Sequence, residues 1–224
     1  MNRYFGQIAL LVGKDLRETV RRPASLLAAL VFAVLLLFIF SLQLQAMPVR
    51  SQDWAAAFFW TILLFASFFT MNQSFAKEQE HDCHLGLLLA IEEKSVLFLA
   101  KALSNFLLLL VLTAAIIPLS IIFWDLRGPL DVPLLLTAMV LGNLGLSCIA
   151  TLFAGITWQA QEQPVLLPIL ALPISIPLLL ALVELTRAAL GPGGSWSPWL
   201  YMIALFDVLF LMLPILLFDF ILEV

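Results

Sequence analysis

Two histidines and a cysteine, His81, Cys83 and His84, lie close together in one polar stretch of the chain. Imidazole and thiolate are ligands of zinc and of haem iron, and the spacing of His81 and His84 would place both on one face of a helix. The sequence has neither the C-x-x-C-H haem attachment motif nor the H-E-x-x-H zinc motif. We therefore expect a solvated surface cluster here, with a metal site as the alternative.

Asp207 is a carboxylate inside an otherwise apolar stretch. A charged side chain at membrane depth is costly and is a functional-site candidate by default, although hydrogen bonds within a helix bundle or access to water would also accommodate it. Pro168, Pro173 and Pro177 lie in another apolar stretch, where each proline favours a bend or break of a helix. Such breaks can line a substrate pathway or serve only as structural kinks. These four residues are the candidate pathway residues.

Residues for catalysis are missing from the sequence pattern. Both histidines lie in one polar segment, so a Ser-His-Asp site within the apolar stretches is excluded. Gly13-Lys14-Asp15 lacks the glycine spacing and the Ser or Thr of a phosphate-binding loop. We expect a non-enzymatic chain with no cofactor of its own, and any ATP hydrolysis on a separate partner chain.

The composition indicates whether the chain is surrounded by water or by lipid. Of the 224 residues, 63% are hydrophobic and 12% are charged, whereas globular domains average roughly 45–50% and about 25%. A soluble domain cannot bury such an excess, and exposed apolar patches promote association. The composition predicts an integral membrane protein with the lipid bilayer around it, and the net charge of −4 argues against nucleic acid as a partner.

Six charge-poor stretches are long enough to cross a bilayer, which takes about 20 apolar residues in a helix. We predict these spans at residues 26–44, 54–76, 102–124, 132–157, 164–183 and 200–222. They are apolar on every face, unlike the alternating strands of a membrane barrel, and a helix satisfies its own backbone in lipid. The predicted fold is an all-α polytopic membrane protein with six transmembrane helices in a single domain over residues 1–224.

Residues 4–22 have the pattern of an interfacial amphipathic helix. Its apolar residues recur at three- and four-residue spacing, at Phe5, Ile8, Val12, Leu16 and Val20. A simple positively charged anchor and a docking element are both compatible with this pattern. The fourth span carries small residues, among them Gly142 and Gly145, which permit close packing of helices.

The distribution of Lys and Arg predicts the orientation. One side of the membrane would receive Arg3, Lys14, Arg17, Arg21, Arg22, Lys77, Lys94 and Lys101, and the other side Arg50, Arg127 and Arg187. Positive charge collects on the cytoplasmic side, so both termini are predicted to be cytoplasmic. Residues 77–101 then form a cytoplasmic segment with a short apolar centre, which is either a coupling helix that docks a partner or a membrane-hugging loop.

Three short motifs resemble one known family. Residues 75–80 (FAKEQE), 86–90 (GLLLA) and 99–105 (LAKALSN), together with the proline-rich residues 164–180, look like the haem exporter protein B (CcmB) family of cytochrome c maturation. The chain departs from that family at residues 82–85, where the family usually has Gly-x-Leu-Glu, and at Ile91, where a proline commonly stands. The similarity extends over nearly the whole chain.

The resemblance implies the membrane subunit of an ABC-2-type transporter in the bacterial inner membrane, with haem as the possible cargo. It implies a separate ATP-binding subunit (CcmA-like), a haem-handling membrane subunit (CcmC-like), a small single-span subunit (CcmD-like) and, indirectly, a haem chaperone (CcmE-like). The residues expected to dock the ATPase are Glu78, Glu80, Gly86, Leu87, Leu88 and Leu89. An ABC-2 permease for a drug, lipid or polysaccharide and a non-transporting membrane scaffold are the alternatives.

Overall fold

The computed structural model describes residues 2–21, 23–46, 51–79, 94–124, 130–159, 166–191 and 195–221. Within these residues the chain forms seven α-helices and no strand. They are α1 (Asn2–Arg21), α2 (Ala24–Ala46), α3 (Ser51–Gln79), α4 (Lys94–Trp124), α5 (Val132–Gln159), α6 (Leu166–Leu190) and α7 (Ser197–Ile221).

Six of these helices, α2 to α7, are long and apolar enough to cross a membrane. Their apolar segments are Leu26–Leu44, Trp54–Met71, Ser95–Trp124, Val132–Thr157, Ile169–Leu190 and Ser197–Ile215. The predicted all-α fold with six spans is therefore confirmed. Because successive spans cross in opposite directions, α2, α4 and α6 begin at the end of the bundle where α3, α5 and α7 finish.

Helix α5 occupies the centre of the bundle. It packs against α3, α4, α6 and α7, whereas α2 lies at the edge against α3 and α4. Its consecutive residues Cys148, Ile149 and Ala150 are all fully buried, so several sides of the helix face protein. The small side chains of α5 allow this close approach, since dispersion contacts between helices replace the hydrophobic effect in lipid.

Helix α1 packs against α4. Val12 of the predicted apolar face is buried, whereas Val20 of the same face and Leu10 are exposed. An exposed apolar side chain on a helix with an otherwise polar surface suits the boundary between lipid and water. The interfacial position of α1 remains a prediction that these contacts are compatible with.

Two helices extend beyond the spans predicted from the sequence. Helix α3 continues to Gln79, and α4 already begins at Lys94, ahead of the predicted span at residues 102–124. The prediction placed the start of that span after Lys101 because a lysine normally marks the exit from the membrane. In the structure the Lys101 side chain is 3% exposed and lies against a carboxylate of α1, so its charge does not end the helix.

Hydrogen bonds at the opposite end of the bundle tie the helix ends together. The Ser41 hydroxyl of α2 donates to the carbonyl oxygen of Phe123 at 3.2 Å, near the end of α4. The amide of Asp131 donates to the carbonyl oxygen of Ala189 at 2.9 Å, which joins the start of α5 to the end of α6. The Asp131 side chain also caps α5 by accepting the Leu134 amide at 3.1 Å.

Candidate functional site at a buried carboxylate

Asp207 lies in the apolar span of α7 and is 4% exposed. In the part of the chain that the structure describes, neither carboxylate oxygen has a hydrogen-bond partner. A buried polar group without a partner forfeits the hydrogen bonds it makes in water. The described residues thus provide no hydrogen bond to the carboxylate within the bundle, and the role of Asp207 as a pathway residue stays a prediction.

Gly145 of α5 provides the space that the Asp207 carboxylate occupies. A Cβ atom added at Gly145 would lie 2.5 Å from Asp207 Oδ1 and 2.8 Å from Leu178 Cδ2 of α6. A side chain at residue 145 would therefore require the Asp207 and Leu178 side chains to shift, so the glycine provides the space that both now occupy. Cys148, three residues further along α5, is buried as well.

A second glycine of α5 performs the same role for an aromatic ring. A Cβ atom at Gly142 would overlap the Trp60 ring of α3 and lie 2.8 Å from Leu182 Cδ2 of α6. Trp60 is fully buried, and its indole Nε1 donates a hydrogen bond to Thr186 Oγ1 of α6 at 2.8 Å. The small residues that predicted close packing of the fourth span thus receive a ring and a carboxylate from neighbouring helices.

Further polar contacts surround this region and cross between helices. The Thr113 hydroxyl of α4 donates to Asn143 Oδ1 of α5 at 3.1 Å, and Asn143 Nδ2 donates to the Met139 carbonyl oxygen at 2.8 Å. Thr151 of α5 lies 3.3 Å from Met71 Sδ of α3. Most buried hydroxyls in the described residues bond instead to a backbone carbonyl of their own helix, as Ser104, Ser120 and Ser175 do. The interior therefore combines apolar packing with a few hydrogen bonds between helices.

The three candidate prolines lie on α6, which is a continuous helix from Leu166 to Leu190. The helix is not broken at Pro173 or Pro177, because the missing hydrogen bond at a proline is tolerated where neighbouring helices surround a membrane helix. The bend that the prolines also predict stays a prediction. Pro168 lies in the first turn, where its missing amide hydrogen costs nothing. Pro173 is exposed and Pro177 half-buried, so Pro173 does not share the interior with Asp207.

The predicted docking residues are largely outside the described residues. Glu78 lies in the last turn of α3, and its side chain is not described. Neither backbone nor side chain is described for Glu80, Gly86, Leu87, Leu88 and Leu89. The cluster of His81, Cys83 and His84 also lies outside the described residues. Among the residues that are described, no group of three or more His, Cys, Asp or Glu side chains is arranged to hold a metal ion.

One polar site escaped the sequence reasoning altogether. Lys101 Nζ of α4 lies 3.2 Å from Asp15 Oδ2 of α1, with the Asp15 side chain 11% exposed. Asp15 had no distinguishing feature in an amphipathic helix, whereas Lys101 lies inside the LAKALSN motif at residues 99–105. A lysine at the start of an apolar span, within the motif at residues 99–105, was the available signal.

The helices and the buried site together define a polytopic helical membrane protein with a closely packed, partly polar interior. The chain belongs to the CcmB protein family, whose model matches residues 7–220. Heme exporter protein B of Pseudomonas aeruginosa strain PAO1 is 26% identical over 194 residues, which make up 86% of this chain and 86% of that protein. No solved structure matches the chain. The family suggested by the sequence motifs is thereby confirmed.

Proposed function

We propose that this chain is the membrane-spanning subunit of a haem exporter that serves cytochrome c maturation. The observation that carries the proposal is the family match, which covers residues 7–220 and therefore all six candidate spans. The match to heme exporter protein B covers the same share, 86%, of this chain and of that relative. The six-span bundle has the form that a permease subunit requires.

The energy for export would come from a separate ATP-binding subunit, resembling CcmA, that docks within residues 77–101. The docking surface would use the residues ahead of the apolar part of α4, and not Lys101, which is buried inside the bundle. Support comes from the geometry of the flanking helices. Helix α3 ends at Gln79 and α4 begins at Lys94, so the residues between them connect two spans at one end of the bundle. A protein bound there contacts both helices close to their ends. Glu78, Glu80, Gly86, Leu87, Leu88 and Leu89 are the proposed docking residues.

The proposed complex also contains CcmC-like and CcmD-like membrane subunits, and acts on a CcmE-like haem chaperone on the far side. In this arrangement the chain lies in the bacterial inner membrane with both termini in the cytoplasm. Haem is the cargo or the group released from the chaperone. Within the bundle, Asp207 is the proposed pathway residue because its unpartnered carboxylate already lies in the interior.

Affinity purification of the tagged chain from detergent-solubilised membranes, followed by mass spectrometry, tests the proposal. We expect an ATP-binding subunit to co-purify in amounts comparable to the tagged chain. Replacing Glu78 and Glu80 together by lysine should remove that subunit, because two charge reversals oppose docking. Glu184→Lys, on α6 at the opposite end of the bundle, is the matched control and should leave the complex intact.

One result would contradict the exporter proposal, and another would contradict only the proposed docking surface. One is a purified membrane complex without any nucleotide-binding chain, combined with cytochrome c maturation that survives depletion of ATP. The other is normal recovery of the ATP-binding subunit with the double lysine variant, which would move the docking surface away from Glu78 and Glu80 but leave the exporter assignment standing.

A further inference from the structure

Lys101 and Asp15 form a buried ion pair between two helices that are far apart in the sequence. Lys101 lies one and a half turns into the apolar span of α4 and is almost completely buried, and its Nζ is 3.2 Å from Asp15 Oδ2 of α1. Lys14 Nζ is 3.8 Å from the other oxygen of the same carboxylate. A charge buried in this way requires a partner of opposite charge. The ion pair, together with apolar contacts, therefore sets the position of α1 against α4.

Asn105 repeats this arrangement one helical turn further along α4. Its Oδ1 lies 3.0 Å from Thr70 Oγ1 of α3, and both side chains are buried. Thr70 Oγ1 is also 3.0 Å from the carbonyl oxygens of Ala66 and Ser67, so its single proton has several acceptors. If the Asn105 amide is turned over, Nδ2 donates to Thr70 Oγ1 and the hydroxyl proton stays with its own helix. Either orientation places one hydrogen bond between α3 and α4.

Lys101 and Asn105 are four residues apart and so lie one above the other on α4. Through Lys101 α4 is joined to α1, and through Asn105 it is joined to α3. We call the four side chains Asp15, Lys101, Asn105 and Thr70 the polar clamp. The clamp lies just inside the ends of α3 and α4, between which runs the segment proposed to dock the ATPase.

We propose that the polar clamp makes α1, α3 and α4 move as one unit, so that a displacement of the docking segment reaches the membrane helices instead of being absorbed by sliding at their ends. This inference rests on the proposed function, since it needs an ATP-driven partner. Its reason is mechanical. Apolar side chains in lipid can slide past one another with little change in contact, whereas a buried ion pair and a hydrogen bond lose their partners when the helices shift.

The test measures coupling in the full membrane complex. Lys101→Met and Asp15→Asn should leave the ATP-binding subunit bound and ATP hydrolysis intact, while the amount of cytochrome c matured per ATP hydrolysed falls about tenfold, within the range usual for coupling between sites. The charge-swapped double variant, Asp15→Lys with Lys101→Asp, restores the ion pair and should return this ratio to within about twofold of the wild type. Glu18→Gln, an acidic neighbour on α1, and Arg17→Met, an exposed basic one, are the matched controls and should have no effect.

Each result decides the question. Single variants that mature cytochrome c at the normal ratio to ATP hydrolysis would overturn the inference. A ratio that falls and is not restored by the swap would do the same, and so would a loss traced entirely to less complex in the membrane. Absence of an ATP-binding subunit from the wild-type complex is a different outcome: it refutes the proposed function, and the clamp as a transmission element with it.

Discussion

At the scale of single residues, the Asp207 carboxylate and Gly145 belong together. The carboxylate could not lie where it does if residue 145 carried a Cβ atom, because the added carbon would be 2.5 Å from Oδ1. A glycine in a helix costs roughly 0.5–1 kcal/mol relative to alanine, and here it admits a polar group that itself is costly to bury. Both the helical Gly145 and the buried Asp207 lower stability, so their occurrence side by side favours a role in function over a role in stability.

Asp207→Asn tests that conclusion. The carboxamide has nearly the shape of the carboxylate but no negative charge, so we expect the melting temperature of the purified protein to stay the same or rise. Cytochrome c maturation should nevertheless fall about tenfold, the pattern of a residue retained for activity at some expense of stability. The measurements are thermal unfolding in detergent and the yield of mature cytochrome c in cells.

Asp131→Asn is the control for that variant. Asp131 caps α5 through the Leu134 amide, and asparagine caps a helix about as well as aspartate, so neither stability nor activity should change. If Asp207→Asn matured cytochrome c normally, the carboxylate would have no part in transport.

The sequence identified Asp207 but not its surroundings, and the reason is physical. An ionisable residue within a long apolar stretch can be recognised from that stretch alone. The gap beside Gly145 depends on how α5, α6 and α7 are aligned, which no local pattern specifies. In the same way, Lys101 looked like the end of a span because its partner Asp15 is contributed by a helix far away in the chain.

At the scale of helices, the apolar stretches located the spans well where charges flank them directly. The first span, Leu26–Leu44, coincides with the predicted residues 26–44. The start of α4 and the continuity of α6 were not predictable in this way. The first depends on an ion pair with α1, and the second on the support that neighbouring helices give to a helix containing Pro173 and Pro177.

The hydrogen bond between Trp60 and Thr186 fixes the packing of α3 against α6, and its contribution can be measured. Trp60→Phe removes the indole donor and should destabilise the protein through both the lost bond and the smaller ring. We expect a coupling energy of about 0.6–1.5 kcal/mol between Trp60→Phe and Thr186→Val in a double-mutant cycle. Unfolding of the four proteins in mixed detergent by denaturant gives the free energies required.

Trp54→Phe is the matched control, since Trp54 lies on the same helix but is half exposed. It should change the free energy of unfolding by less than about 0.5 kcal/mol and show no coupling to Thr186→Val. A coupling energy of zero for Trp60 would mean that the bond is replaced without loss in the variants.

At the scale of the whole molecule, the five spans α2 to α6 place the residues before α2 and those between α6 and α7 on opposite sides of the membrane. The excess of Lys and Arg near the N-terminus predicts that the first group is cytoplasmic. Gly6 has open space around it, and Ser195 is exposed between α6 and α7. Both positions therefore accept a cysteine without strain.

A labelling experiment decides this topology. In a background with Cys83→Ser and Cys148→Ala, we expect Ser195→Cys to react with a membrane-impermeant maleimide in spheroplasts. Gly6→Cys should react only after the membrane is permeabilised. The reverse pattern would invert the predicted orientation, and labelling of both cysteines from the same side would contradict five spans between the two positions.

The burial of Asp207 also bears on how the protein is made. An aspartate at the centre of a membrane helix adds about 2.5–3.5 kcal/mol to the free energy of inserting that helix from the translocation channel into lipid. Helix α7 follows α5 and α6 in the chain, so the helices that form the space beside Gly145 have been synthesised before the carboxylate arrives. Because of this order, α7 can insert into the bilayer next to α5 and α6, which have already been made. Assembly of the bundle therefore depends on the order in which its helices are inserted.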